Sequence, residues 1–227
     1  MTLAEVRSAA EREGLAWRGA FHPMHTDDVP QANGGISTAT LILLGFTGKT
    51  GWESFAASRE AHDGSPNPLD RWSRRIIDGL AAATGALALY PFGGPPWHPF
   101  QRWAQRAEPV HPSPLGMLIH PEWGLWHSYR GALAFGERFA LDEAKARPSP
   151  CESCATKPCL SACPVGAFSP IGPAHLDETK CKGFLASPRG QDCLSRGCQA
   201  RRACPIGAVH RYDSGQAFFH MRSFYGG

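Results

Sequence analysis

Apolar residues at Leu3, Val6 and Ala10, followed by Gly14, recur at helical spacing and predict a short helix over residues 2–13. The stretch Leu15-Ala16-Trp17-Arg18-Gly19-Ala20-Phe21 alternates like a strand, and the unbroken run Thr40-Leu41-Ile42-Leu43-Leu44 reads as a strand buried on both faces. From Asn67-Pro68-Leu69-Asp70 the pattern returns to a period of 3.6, with Leu69, Trp72, Ile76 and Leu80 on one face and arginines opposite, so a helix is expected there. Ala86-Leu87-Ala88-Leu89-Tyr90 is the next expected strand, residues 97–107 are expected to form a helix rich in Trp and Phe, and further strands fall at 115–120 and 125–135. This is a mixed α and β domain and not a plain repeat of βαβ units.

After residue 146 the texture changes. Ala146-Arg147-Pro148-Ser149-Pro150 is a linker by composition, and all eight cysteines follow it. We therefore expect two domains, 1–146 and 147–227, the second too small to build a large core of its own. With 42% hydrophobic and 19% charged residues the chain is otherwise an ordinary globular sequence.

The cysteines carry the chemistry. Cys151-x2-Cys154-x4-Cys159-x3-Cys163-Pro164 is close to the bacterial ferredoxin run C-x2-C-x2-C-x3-C-P, with two extra residues between the second and third thiols. Cys181, Cys193, Cys198 and Cys204-Pro205 supply a second, looser set. In two-cluster ferredoxins the fourth cysteine of each run ligates the other cluster. The expected ligation is therefore crossed: Cys151, Cys154, Cys159 and Cys204 hold one [4Fe–4S] cluster, while Cys181, Cys193, Cys198 and Cys163 hold the other. Structural zinc also uses Cys-x2-Cys but favours two separated knuckles, whereas the first run packs four thiols into 13 residues. Disulfides call for an oxidising compartment, and Met1-Thr2-Leu3-Ala4-Glu5-Val6-Arg7 has no basic stretch leading into an apolar one. A cytoplasmic location is expected, with no run of about 18 apolar residues to span a membrane.

Charge follows the cysteines. Residues 147–227 carry ten Lys and Arg against five Asp and Glu, a formal +5, while residues 1–146 are at −2. Clusters ligated by four thiolates are anionic and call for cationic surroundings, which Lys180, Lys182, Arg189, Arg196, Arg201 and Arg202 can supply. A net charge of +3 is too small to argue for nucleic acid, which is not expected as a partner. Strand 40–44 leads into Gly45-Phe46-Thr47-Gly48-Lys49-Thr50, which ends like a phosphate-binding loop, but only two residues separate its glycines where that loop needs four. Nucleoside triphosphate binding is not expected; a contact with some other anion at this turn stays open.

Residues 113–136 contain Ile119-His120-Pro121-Glu122-Trp123-Gly124-Leu125-Trp126, which resembles the Ile-His-Pro-x-aromatic-Gly-x-Trp segment of the cobalamin-processing CblC family, and the Pro68-Leu69-Asp70 turn is similar to one in that family. The resemblance covers about residues 37–140 and implies a nitroreductase-like fold that binds cobalamin with its nucleotide base displaced. It makes His120, Trp123, Gly124 and Trp126 candidate corrinoid-binding residues, although a histidine before proline is as often structural and tryptophans equally serve a core. A CblC-like domain followed by a two-cluster ferredoxin module resembles the epoxyqueuosine reductase family and, more distantly, reductive dehalogenases, in which clusters feed electrons to corrinoid cobalt. The sequence departs from those reductases in its shorter length and in Phe92-Gly93-Gly94-Pro95-Pro96, which has glycine where they carry a catalytic acid. Epoxyqueuosine reduction itself is therefore not expected, and no catalytic residue is assigned.

The combined expectation is an α+β protein in which two clusters pass electrons to a corrinoid in the first domain. An electron donor (a ferredoxin, flavodoxin or reductase) and a small-molecule or corrinoid substrate would be its partners. The alternatives are a cobalamin-processing chaperone and an electron-carrier ferredoxin without corrinoid.

Overall fold

A computed structural model describes residues 2–142, 146–169 and 174–226. The protein divides into two compact units, one made of Met1–Pro109 with Ser128–Ala146 and the other of Val110–His127 with Arg147–Gly227. The second unit thus takes in the segment 110–127, which composition alone places in the first domain.

In the first unit, helix α1 (Leu3–Arg12) begins at Thr2, whose hydroxyl accepts the Glu5 amide while the Glu5 carboxylate accepts the Thr2 amide, so two orphan donors are satisfied reciprocally. Its apolar positions Val6 and Ala10 are buried. Strand β1 (Ala16–Phe21) pairs antiparallel with β2 (Thr40–Thr47), Phe21 opposite Leu41 and Ala16 opposite Gly45. Every residue of β2 is buried, which is why its sequence is a continuous apolar run; each such Leu or Ile contributes roughly 1.5–3 kcal/mol relative to exposure. Two short helices that the periodicity does not signal, α2 (Trp52–Ala56) and α3 (Arg59–His62), lead to α4 (Pro68–Thr84), which has Pro68 in its first turn and buries Leu69, Trp72, Ile76, Ile77 and Leu80. Strand β3 (Leu87–Leu89) and helix α5 (Phe100–Ala107) follow. The helix expected from residue 97 starts at Phe100, because Pro99 keeps His98 out of the helical region.

Two-residue strands β4 (His111–Pro112) and β5 (Leu118–Ile119) belong to the second unit, and β6 (His127–Phe135) completes the small antiparallel sheet, ordered β1-β2-β6-β3. The strand predicted at 115–120 shrinks to Leu118–Ile119 because the Ser113 carbonyl accepts the Gly116 amide in a turn that uses up the residues before it. Beside the sheet lies a buried charge. Arg18 is 0% exposed and donates to the Glu108 carboxylate and to the Phe46 carbonyl, while the Tyr129 hydroxyl also donates to Glu108.

The second unit has little regular structure. Its helices are α6 (Pro158–Ser161), α7 (Glu178–Leu185), α8 (Gln191–Arg196), α9 (Gln199–Ala203) and α10 (Ser214–Gly226), with α6 against α9 and α10 against α8. Helices of four to eight residues do not persist in water without tertiary support. One apolar cluster that supports them joins Leu115, Ile119, Leu125, Phe168 and Ala200, with the thiols of Cys159 and Cys204 inside it.

Candidate metal centre

The eight thiols are free, and three of them, Cys159, Cys193 and Cys204, are buried. Their mutual electrostatics sort them into two quartets. Cys204 comes from the second run yet stands with Cys151, Cys154 and Cys159, and all six pairs within that set repel as thiolates. Cys163 comes from the first run yet stands with Cys181, Cys193 and Cys198, again with all six pairs in mutual repulsion. Burial first, and these like charges second, push Cys181 up to about 11. Cys151 rises for the same reasons, and burial is also the leading cause for Cys159, Cys193, Cys198 and Cys204. Buried thiols that resist ionisation one by one are a donor set for a polycation, which takes the thiolates and releases their protons.

Among the described residues, no three His, Cys, Asp or Glu side chains stand close enough to hold one metal ion. A zinc tetrahedron brings its sulfurs to about 3.8 Å from one another, given bonds of about 2.3 Å, whereas a four-iron cubane sets thiolates at its corners, farther apart.

Backbone amides already face these sulfurs. Ala167 N lies 3.3 Å from Cys163 Sγ. The amides of Leu160, Gln199 and Ile206 donate to Cys159, Cys193 and Cys204, and those of Ala200 and Arg201 to Cys198. Amide donors to thiolate sulfur stabilise the anion and raise the reduction potential of a cluster bound there.

Cations stand beside both quartets. The Arg202 guanidinium acts on Cys193, and Arg211, which the sequence does not single out, acts on Cys204. Lys180, Lys182 and Arg196 are engaged with Asp177, Glu178 and Asp192 on the surface. Arg201 stacks 4.4 Å from the Trp126 ring centroid and 4.6 Å from that of Tyr212, and donates to the Leu125 carbonyl. Only the excess of arginines over acids in this stretch marks Arg211 in the sequence.

The four candidate corrinoid residues lie in this same unit. His120 is 8% exposed and its Nδ1 accepts the amides of Glu122 and Trp123, at 3.0 and 3.2 Å, so the ring proton sits on Nε2. A backbone bridge between His120 and Gly124 closes the turn. Trp123 packs against His210 with centroids 4.5 Å apart, and Trp126, 2% exposed, meets Tyr212 edge-on. Gly124 (φ +58°) and Gly207 (φ +67°) abut: a Cβ on Gly124 would lie 2.0 Å from the Ile206 carbonyl oxygen, and one on Gly207 would lie 2.4 Å from the Trp123 carbonyl. The His120 turn is thus docked, backbone to backbone, onto Cys204-Pro205-Ile206-Gly207-Ala208.

An α+β fold that carries eight thiols in two quartets narrows the comparison. The fold is similar to that of epoxyqueuosine reductase. The crystal structure of that enzyme with a tRNA-Tyr epoxyqueuosine-modified tRNA stem loop matches with a TM-score of 0.51 at 14% identity, covering 95% of this chain and 68% of the other. The structure of epoxyqueuosine reductase from Streptococcus thermophilus gives a TM-score of 0.47 at 14% identity, covering 90% of this chain and 65% of the other. At such identity the likeness is one of fold, and the chain spans about two thirds of the length of these proteins. No family model matches the chain, nor does any curated protein. No helix among the described residues is long and apolar enough to cross a membrane.

Proposed function

We propose that this protein is an iron–sulfur oxidoreductase. One [4Fe–4S] cluster is held by Cys151, Cys154, Cys159 and Cys204, and the other by Cys163, Cys181, Cys193 and Cys198, in a ferredoxin-like module that folds around them. The observation that carries this reading is the pair of electrostatically coupled thiol quartets, each completed by a Cys-Pro cysteine from the opposite run. Bound clusters supply one-electron steps. The chain's own part is to bury the thiolates, aim amides at their sulfurs and hold Arg202 and Arg211 beside them, so that reduction does not leave extra negative charge unbalanced.

The acceptor in this proposal is a corrinoid bound by a CblC-like, nitroreductase-like part of a cytoplasmic enzyme, with His120, Trp123, Gly124 and Trp126 meeting it from the unit that carries the thiols. The fold likeness to epoxyqueuosine reductase supports a reductase over a simple carrier. In this reading His120 is the residue that meets the corrinoid, its ring fixed by the amides of Glu122 and Trp123. Nucleic acid, for which the net charge is too small an argument, returns as a partner because the similar solved reductase holds a tRNA stem loop.

Titration of anaerobic protein with cob(II)alamin tests the acceptor. The expected result is a visible spectrum and a paramagnetic resonance signal characteristic of a displaced base, with binding weakened by His120→Ala. An unchanged spectrum at tens of micromolar of both components would favour an electron carrier without corrinoid.

A further inference from the structure

The second unit contains a cavity of about 190 Å³ lined by Trp126, Arg196, Arg202, Arg211, Tyr212 and Ser214. Three guanidinium-bearing side chains on one small cavity are unusual, because like charges disfavour one another unless an anion joins them. The acids nearby do not balance them. Asp192 pairs with both Arg196 and Arg202, and Asp213 is turned to capping α10, accepting the Gln216 amide at 2.8 Å. Arg201 adds a fourth cation behind the wall, stacked on Trp126 and Tyr212. Four arginines against two aspartates leave a local excess of about two positive charges.

The rest of the cavity wall suits an anion. Trp126 lends the cavity an apolar ring wall, on whose face Arg201 is stacked. Ser214 brings a hydroxyl to the cavity and is the first residue of the 13-residue α10, whose positive end lies on this side. Arg211 is held in place by its bond to the Arg202 carbonyl, 2.5 Å, and Arg202 by its bond to the Gly197 carbonyl, 3.1 Å. Arg202 and Arg211 are therefore positioned by backbone contacts and not only by acids, while Arg196 is held by Asp192.

We propose that this cavity binds a phosphoryl group, with Arg196, Arg202 and Arg211 as its cationic walls and the Ser214 hydroxyl as a neutral donor. A tetrahedral oxyanion matches several guanidinium forks better than a planar carboxylate, which two forks would saturate. The volume is several times the ~30 Å³ share of one water, which suits a phosphoryl group and a few waters but not a nucleoside. The group would come either from a free phosphate or from the backbone of a nucleic acid that lays one phosphate into the cavity. Arg202 and Arg211 are also the guanidiniums that act on Cys193 and Cys204, so occupation is expected to lower the midpoint potentials of the clusters. That consequence rests on the cluster reading; binding itself does not.

The test is calorimetric titration of the full-length protein, kept anaerobic as isolated, with inorganic phosphate in low-salt buffer. Saturable binding at millimolar phosphate or below is expected, weakened about tenfold or more by Arg211→Gln and by Ser214→Glu, which places a carboxylate at the cavity. Circular dichroism and iron content of each variant report whether it still folds, and Arg196→Gln, at an exposed position, is the third variant should Arg211→Gln fail. Displacement of phosphate by a short RNA stem loop assigns the site to backbone phosphate, and its failure to compete assigns the site to a free phosphate. No saturable heat up to about 10 mM phosphate, a concentration far above any useful affinity, or binding that all three variants leave unchanged, would overturn the proposal.

Discussion

The two Cys-Pro-x-Gly-Ala phrases contain glycines that share a backbone conformation but differ in what surrounds them, and this allows one contact to be isolated. Gly166 has φ +57° and nothing within 4 Å of where a Cβ would stand, whereas Gly207 has φ +67° with the Trp123 carbonyl at 2.4 Å and the Gly124 nitrogen at 2.5 Å from that point. Alanine at either site carries the left-handed penalty of roughly 1–2 kcal/mol. At Gly207 alone it also drives a methyl into backbone that cannot swing aside. Side-chain Cβ atoms essentially never approach closer than 3.0 Å, so the two turns must separate by at least about half an ångström. Overpacking of this kind costs typically about 1–3 kcal/mol. Gly207→Ala is therefore expected to be less stable than Gly166→Ala by about 1–3 kcal/mol, which for a unit of about 100 residues lowers the thermal midpoint by at least about 4 °C. Thermal unfolding under argon, followed by circular dichroism and by the charge-transfer absorption of bound iron, reads both quantities. Equal midpoints for the two variants would refute the docking of the His120 turn on the second phrase.

Other expectations follow from the same structure. His120→Ala leaves the amides of Glu122 and Trp123 without their acceptor and should lower stability by about 1–2 kcal/mol, while His120→Asn, whose Oδ1 can accept in place of Nδ1, should recover much of it, as denaturant titration would show. Glu108→Gln removes the carboxylate that faces Arg18, buried at 0% exposure, and should destabilise the first unit by about 3–5 kcal/mol; Tyr129→Phe, which removes one hydroxyl donor, should cost about 1 kcal/mol in the same assay. Removal of iron with a chelator under reducing conditions should loosen the second unit selectively, seen as rapid amide exchange in α6 to α9 with α4 and β2 still protected.

Legibility of the fold tracks how far each signal is local. The helix at Leu3–Arg12 is readable because its capping box and apolar stripe lie within a dozen residues, and β2 because a strand buried on both faces leaves almost no polar position in its sequence. Helices α2 and α3 escape notice because four or five residues are too few to display a period. The membership of 110–127 in the cysteine-bearing unit is invisible for a different reason. It depends on Gly124 lying against Ile206 and on Arg201 reaching the Leu125 carbonyl, contacts between residues about eighty positions apart that no periodicity records. Cysteine spacing points to clusters without help from the fold, but which arginines serve the thiols is not in the spacing: Lys180, Lys182 and Arg196 are engaged with carboxylates, while Arg211 reaches Cys204 only because the chain turns back after Gly207.

The central claim is that two four-iron clusters are held with crossed ligation, and it is tested most directly by iron analysis with electron paramagnetic resonance on anaerobic wild-type protein and its Cys204→Ala and Cys163→Ala variants. About eight irons and eight sulfides per chain are predicted for the wild type. Cys204→Ala should perturb the signal of the cluster held by Cys151, Cys154 and Cys159, and Cys163→Ala the signal of the one held by Cys181, Cys193 and Cys198. Stoichiometric zinc in protein made with ample iron and no oxygen, or a substitution that disturbs only the cluster of its own run, would contradict it.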